Sequence, residues 1–459
     1  MFRRVFLAVV LGGAFLAGPT WAQQPFPNNL VPSRRALERL GLERQWFGII
    51  PLAETERLIR ISFGPDLFFA QTDQGMLHAF DPESGRLLWS SNVGERVGFA
   101  RGVATNSFGV YLTNANTMVA LDKKTGRPVW KYKLDTIPTC SPTVDEKRLV
   151  VGLTNGMIVG FALSETNDKG VTKILTAPRI EWFWHGAGPI TTKPLLTDHI
   201  LAYTGHDANV HVVMTEEKTV LFRFKAGGEV GEALAGHDTR TLIIPSADNV
   251  VYALDIFTAA TKWVFPSGAP VLQAPMVADQ EIFLINSAGA LSSLRPEDGQ
   301  ALWTTPTQDG RLAAVSQTKL YLRSYNRDLV AVDRQTGRTI IDPGESFQRA
   351  GLNLRDYDLD VVNRYNDRLY FATDSGMIVC LREATQRVPR LLRDPKAPPF
   401  GYVPPEGIKA PTIPVQPEAA ASDLTVDPNQ REASPAKPDA KPDAKPKDDE
   451  PAKDDKKPE

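Results

Sequence analysis

From Leu58 onward the chain is a succession of short apolar runs separated by polar turns. Met76-Leu77-His78-Ala79-Phe80, Met157-Ile158-Val159-Gly160-Phe161, Val250-Val251-Tyr252-Ala253-Leu254 and Met377-Ile378-Val379-Cys380-Leu381 are examples. Runs this short, bounded by turn residues, predict buried strands rather than helices. A second run usually precedes them after a turn, as in Val110-Tyr111-Leu112, Leu149-Val150-Val151, Ile282-Phe283-Leu284 and Leu369-Tyr370-Phe371.

A recurring phrase follows the later strand. Asp81-Pro82-Glu83-Ser84-Gly85-Arg86-Leu87-Leu88-Trp89 returns as Asp122-Lys123-Lys124-Thr125-Gly126-Arg127-Pro128-Val129-Trp130. Looser copies are Asp255…Trp263, Arg295…Trp303 and Asp333…Ile341, and each Trp falls eight residues after its anchor. The anchors Asp81, Asp122, Ala162, Thr215, Asp255, Arg295, Asp333 and Arg382 are spaced by 41, 40, 53, 40, 40, 38 and 49 residues. A period near 40 with about four short strands is that of a propeller blade. The expected fold is therefore an all-β, eight-bladed propeller spanning 41–392.

The repeat has a physical reading. The anchor Asp bonds backbone N–H groups of the turn, while Gly85, Gly126, Gly299 and Gly337 supply positive φ. Trp89, Trp130, Trp263 and Trp303 are flat apolar wedges between neighbouring blades. Asp81, Asp122, Asp255 and Asp333 are thus structural residues. One carboxylate per separate turn cannot converge on a calcium ion.

The N-terminal end completes the pattern. Ser33 caps a short helix carrying Ala36, Leu37 and Leu40, and Gly41 stops it. The segment from Gly41 to Ile50, with Trp46, resembles the second half of the phrase without its first half, and is expected to close the last blade. Residues 1–22 read as a signal peptide: Arg3 and Arg4, then Val5 to Leu16, then Thr20-Trp21-Ala22. Arg3-Arg4 also resembles part of a twin-arginine signal. Residues 23–40 are linker plus helix, and no lipid-attachment cysteine stands near the cleavage site. Residues 393–459 are expected to form a disordered tail. From Arg431 to Glu459 it holds eight Lys or Arg and nine Asp or Glu, with no large apolar residue.

Composition adds only exclusions. A net charge of −2 over 459 residues gives no basic excess for nucleic acid. Cys140 and Cys380 are too few for a disulfide framework and fall on blades far apart in the ring, so both are expected as free, buried thiols. The six histidines show no metal-ligand spacing, and no metal or cofactor is expected.

The Asp…Thr-Gly…Trp phrase, clearest at Leu121 to Trp130 and Val332 to Gly337, resembles the pyrroloquinoline-quinone-type propeller repeat. Two classes share it. One comprises eight-bladed scaffolds of the bacterial envelope similar to the outer-membrane assembly factor BamB, which the propeller length and export signal favour. The other comprises quinone-dependent dehydrogenases, which commonly carry an adjacent cysteine pair that this chain lacks. The resemblance implies an exported, periplasmic or secreted, non-enzymatic scaffold that binds a protein or envelope polymer as a monomer. The alternative is a quinone-dependent oxidoreductase of the envelope. No catalytic residue is assigned. The candidate partner contacts are Trp182, Phe183, Trp184 and His185, an aromatic run read as an insertion over the rim of the third repeat.

Overall fold

The computed structural model describes residues 30–96, 100–166, 172–186, 188–307 and 310–403. The signal-peptide reading and most of the predicted tail lie outside them. The described strands form eight antiparallel sheets; in seven of them each strand pairs with the next in sequence, and the eighth adds a strand from the N-terminal end. They are the eight blades of the predicted propeller.

Blade 1 shows the common plan: Leu58–Phe63, Phe68–Thr72, Met76–Phe80 and Leu87–Asn92, counted from the axis outward. The second strand is buried along its whole length, because both its faces meet neighbouring blades. The outer strand alternates, with only Trp89 and Ser91 buried. The inter-blade core follows the same logic. Phe69, Leu77 and Trp89 of blade 1 pack against Val103, Val110, Leu112 and Val119 of blade 2.

Blade 8 is closed from the other end of the chain. Its strands Leu369–Ala372 and Met377–Glu383 accept Leu42–Ile49 as the outer strand. Trp46 lies opposite Cys380, with a register shift between Arg44 and Trp46. Trp89 lies likewise opposite Ala79 beside a shift between Ala79 and Phe80. The N-terminal strand therefore supplies the eighth copy of the Trp phrase. The helix Arg34–Arg39, capped by the Ser33 side chain, packs Ala36, Leu37 and Leu40 beside Leu352, Leu354 and Tyr357, which lie between the outer strand Thr339–Ile341 of blade 7 and blade 8.

Three sequence readings shift. In blade 4, Val213 pairs with Val220 and Val212 with Phe222, so the register puts the anchor at Met214 rather than Thr215. Phe222 takes the Trp position. The expected boundary at residue 392 is too early, because the chain continues as an ordered strap to Val403. Leu392 N donates to Tyr365 O, Asp279 N to Leu392 O, and Gly401 N to Thr239 O. Leu392 and Phe400 are both buried. The strap thus touches blades 8, 6 and 5, over the turns joining their first and second strands, and Gly401 comes against Thr197 of blade 4. Third, the aromatic run is part of blade 3 itself, as described below.

Candidate functional site

The recurring phrase builds a latch between blades. In blade 2, Asp122 accepts from Thr125 N at 2.8 Å and Thr125 Oγ1 at 2.6 Å, which holds its carboxyl below the usual range. Asp333 does the same with Thr336. The turn thus fixed offers a carbonyl and a side-chain-free glycine to the preceding blade. Trp89 Nε1 donates to Lys123 O at 2.9 Å, and the Trp89 ring covers Gly126. Trp46 uses Pro82 O and Gly85, Trp263 uses Pro296 O and Gly299, and Trp303 uses Arg334 O and Gly337.

The glycine is needed twice over. Gly126 has φ +69°, and a Cβ there would meet Trp89 at 2.4 Å. Gly126→Ala should therefore cost about 3 kcal/mol in urea unfolding, combining backbone strain with overpacking. Gly268, at φ +75° with nothing within 4 Å of a Cβ, is the control. Gly268→Ala should cost about 1 kcal/mol. Equal losses at the two sites would refute the latch.

Four junctions lack the full latch. Trp182 lies opposite Gly160, the register position of Ala79 and Ala120 in blades 1 and 2. It is the repeat Trp of blade 3, twenty positions after Ala162 instead of eight. The extra residues extend the third and fourth strands, Met157–Thr166 and Thr172–His185, as a ribbon where other blades have a turn. Trp130 therefore faces Leu163, Ile174 and Leu175 of this ribbon across a groove of about 220 Å3. Trp182 Nε1 finds no acceptor, and blade 4 places Lys218, at φ 57°, where the latch has glycine. Phe222 and Ile341 replace Trp in blades 4 and 7.

This corrects the partner-contact reading at Trp182, which is 6% exposed and packed in the core with Val150, Ile158 and Leu201. Trp184 is half-buried with its ring 4.3 Å from that of Trp182. Phe183, at 54%, and His185 are exposed and meet edge to face at 5.7 Å. Phe183 shares its strand with exposed Ile180 and Ile174. The insertion hides this in the sequence, because it moves the Trp away from its usual distance after the anchor. The small residue two positions before the anchor, Gly160 like Ala79 and Ala120, was the available signal.

Cys140 and Cys380 are free and buried in blades 3 and 8, and burial pushes the Cys140 thiol up to about 11. Among the described residues no group of three or more His, Cys, Asp or Glu side chains is placed to hold a metal ion.

The fold and its latched turns define an eight-bladed β-propeller built from pyrroloquinoline-quinone-type repeats. A family model described as "Outer membrane protein assembly factor BamB" matches residues 73–169 and 169–399. The chain belongs to that BamB family. It is 23% identical over 253 residues to BamB of Yersinia pestis, covering 49% of this chain and 62% of that protein. It is 21% identical over 319 residues to BamB of Shewanella oneidensis, covering 63% of this chain and 79% of that protein. The crystal structure of BamB from Moraxella catarrhalis superposes with a TM-score of 0.58 at 15% identity, covering 74% of this chain and 97% of that one. A computationally designed protein, Ika8, gives a TM-score of 0.53 at 13% identity, covering 72% and 98%. At these identities the structural likeness speaks for the fold alone. No described helix is long and apolar enough to cross a membrane.

Proposed function

We propose that the chain is an exported, non-enzymatic scaffold of the bacterial envelope that holds another protein against the rim of blade 3. Family membership supports the scaffold class, since the relatives are named outer-membrane assembly factors. The signal-peptide pattern of residues 1–22 supports export. The observation that carries the binding site is the outer strand of blade 3. It runs fourteen residues against six in blades 1 and 2, and it exposes Ile174, Ile180 and Phe183. Exposed apolar and aromatic groups on a hydrogen-bonded strand are suited to anchoring a partner.

The test uses the full chain purified from envelope extract with its co-purifying protein. Ile180→Ser with Phe183→Ser should cut partner recovery at least about tenfold, as loss of interface anchors does. The melting temperature should stay near that of the parent. Full recovery with both serines in place would move the interface away from blade 3.

A further inference from the structure

Among the described residues, the axial lumen gathers cations from several blades. Arg60 of blade 1 extends from the innermost strand, its Nη1 3.4 Å from Ala100 O of blade 2. Arg101 of blade 2 donates to Thr139 O of blade 3. Lys193 precedes the inner strand of blade 4 and bridges in parallel to Ala233 of blade 5. Two further cations reach past a whole blade. Arg311 of blade 7 pairs with Glu232, which precedes the inner strand of blade 5, and Arg364 of blade 8 donates to Ala274 O and Pro275 O of blade 6, each at 3.1 Å. Contacts that skip a blade pass through the space inside the ring, so these side chains stand in the lumen.

Arg311 pairs with Glu232 and, at 3.6 Å, Asp360, and the Glu232 charge also acts on Arg60 and Arg364. The hydrogen bonds of Arg60 and Arg364 go to neutral carbonyls, which aim a guanidinium without cancelling its charge. Among the described residues the Lys193 ammonium makes no ion pair and no hydrogen bond, although the side chain is solvent-accessible. Enclosure by protein, then the neighbouring Arg364 and Arg60 charges, lower its pKa. Like charges held together in a partly desolvated channel repel. A multivalent anion accepting from several of them at once would relieve that repulsion.

We infer that the lumen is a binding site for a small phosphate-class oxyanion, held by Lys193 together with Arg60 and Arg364. The planar guanidinium forks suit tetrahedral oxyanions, and the ammonium supplies a compact point charge. The strap lies over one end of this region, where Leu392 packs with Met276 and Leu312 from the inner strands of blades 6 and 7 and with Val362, which precedes the first strand of blade 8. This favours a small ligand over a threaded polymer.

The experiment titrates inorganic phosphate into the full chain by calorimetry, at constant ionic strength set with chloride. Saturable binding is expected, with a rise in melting temperature of about 3 °C at high phosphate. Lys193→Gln should weaken binding about tenfold, the effect of losing one charge-assisted contact, while Lys193→Arg should keep most of it. A parallel titration with glycerol 3-phosphate decides between a free and an esterified phosphate, either of which supports the site. Absence of saturable binding to the parent chain overturns the inference, whatever the variants do. So does an equal phosphate effect in parent and Lys193→Gln.

Discussion

Trp46→Ala should lower the unfolding free energy by about 3–5 kcal/mol, the range for removing a large aromatic from a packed site. The expected loss lies at the upper end because three contacts go together. The ring stacks on Phe68 at 5.6 Å and 11°, lies 6.0 Å from Tyr370, and donates through Nε1 to Pro82 O at 2.9 Å. Phe68 and Pro82 belong to blade 1 and Tyr370 to blade 8, so the residue joins the two ends of the chain. Removing Gly41 to Ile50 should be worse still, because it strips blade 8 of its outer strand and exposes Met377–Glu383 as an edge. Denaturant unfolding of both variants reads the effect. A truncated chain that unfolds at the parent's midpoint would show that the ring does not depend on this closure.

Glu383→Ala should cost a comparable 3–5 kcal/mol, because it strands a buried polar cluster without its acceptor. Glu383 is 3% exposed. It accepts from Ser316 Oγ at 2.6 Å, Tyr321 OH at 2.9 Å and Thr318 Oγ1 at 3.3 Å, with Lys319 Nζ at 3.8 Å. Burial first, and then the Glu383 charge, hold the Tyr321 phenol well above its usual range, so it remains a donor. This cluster joins blades 7 and 8, the junction where Ile341 replaces Trp. Glu383→Gln keeps the shape and one acceptor and should recover roughly half of the loss. If Ala and Gln unfolded alike at the parent's midpoint, the cluster would be incidental to the junction.

The propeller was legible because its information is repeated. Anchor Asp, turn Gly and wedge Trp each have a local cause, and recurrence multiplies a weak signal. Trp46 was readable for the same reason, as half a phrase without its other half. The errors fell where repetition failed. Met214 lost the anchor because Thr215 looks more like a turn residue, and only strand pairing sets the register. Trp182 looked like an exposed patch because an insertion separated it from Ala162. The strap reads as tail because it runs without a break into the segment that Pro, Ala, Lys and Asp dominate, while Phe400, which holds it down, is one residue among many. The lumen charges are the clearest case of non-local information. Arg60, Lys193 and Arg364 are scattered through the sequence and meet only because the ring brings their blades around one axis.

The distribution of latches makes the ring mechanically uneven. Trp46, Trp89, Trp263 and Trp303 rivet blade 8 to 1, 1 to 2, 5 to 6 and 6 to 7. Two stiff arcs result, blades 8-1-2 and blades 5-6-7, with blades 3 and 4 suspended between them. On the opposite side the arcs meet at the 7–8 junction, held by the Glu383 cluster instead of a rivet. The strap runs from blade 8 over to blades 6 and 5 and reaches blade 4. It therefore bridges both the 7–8 and the 4–5 seams and acts as a guy-line between the two arcs. Compliance is left concentrated in blades 3 and 4, beside the extended strand that carries Phe183.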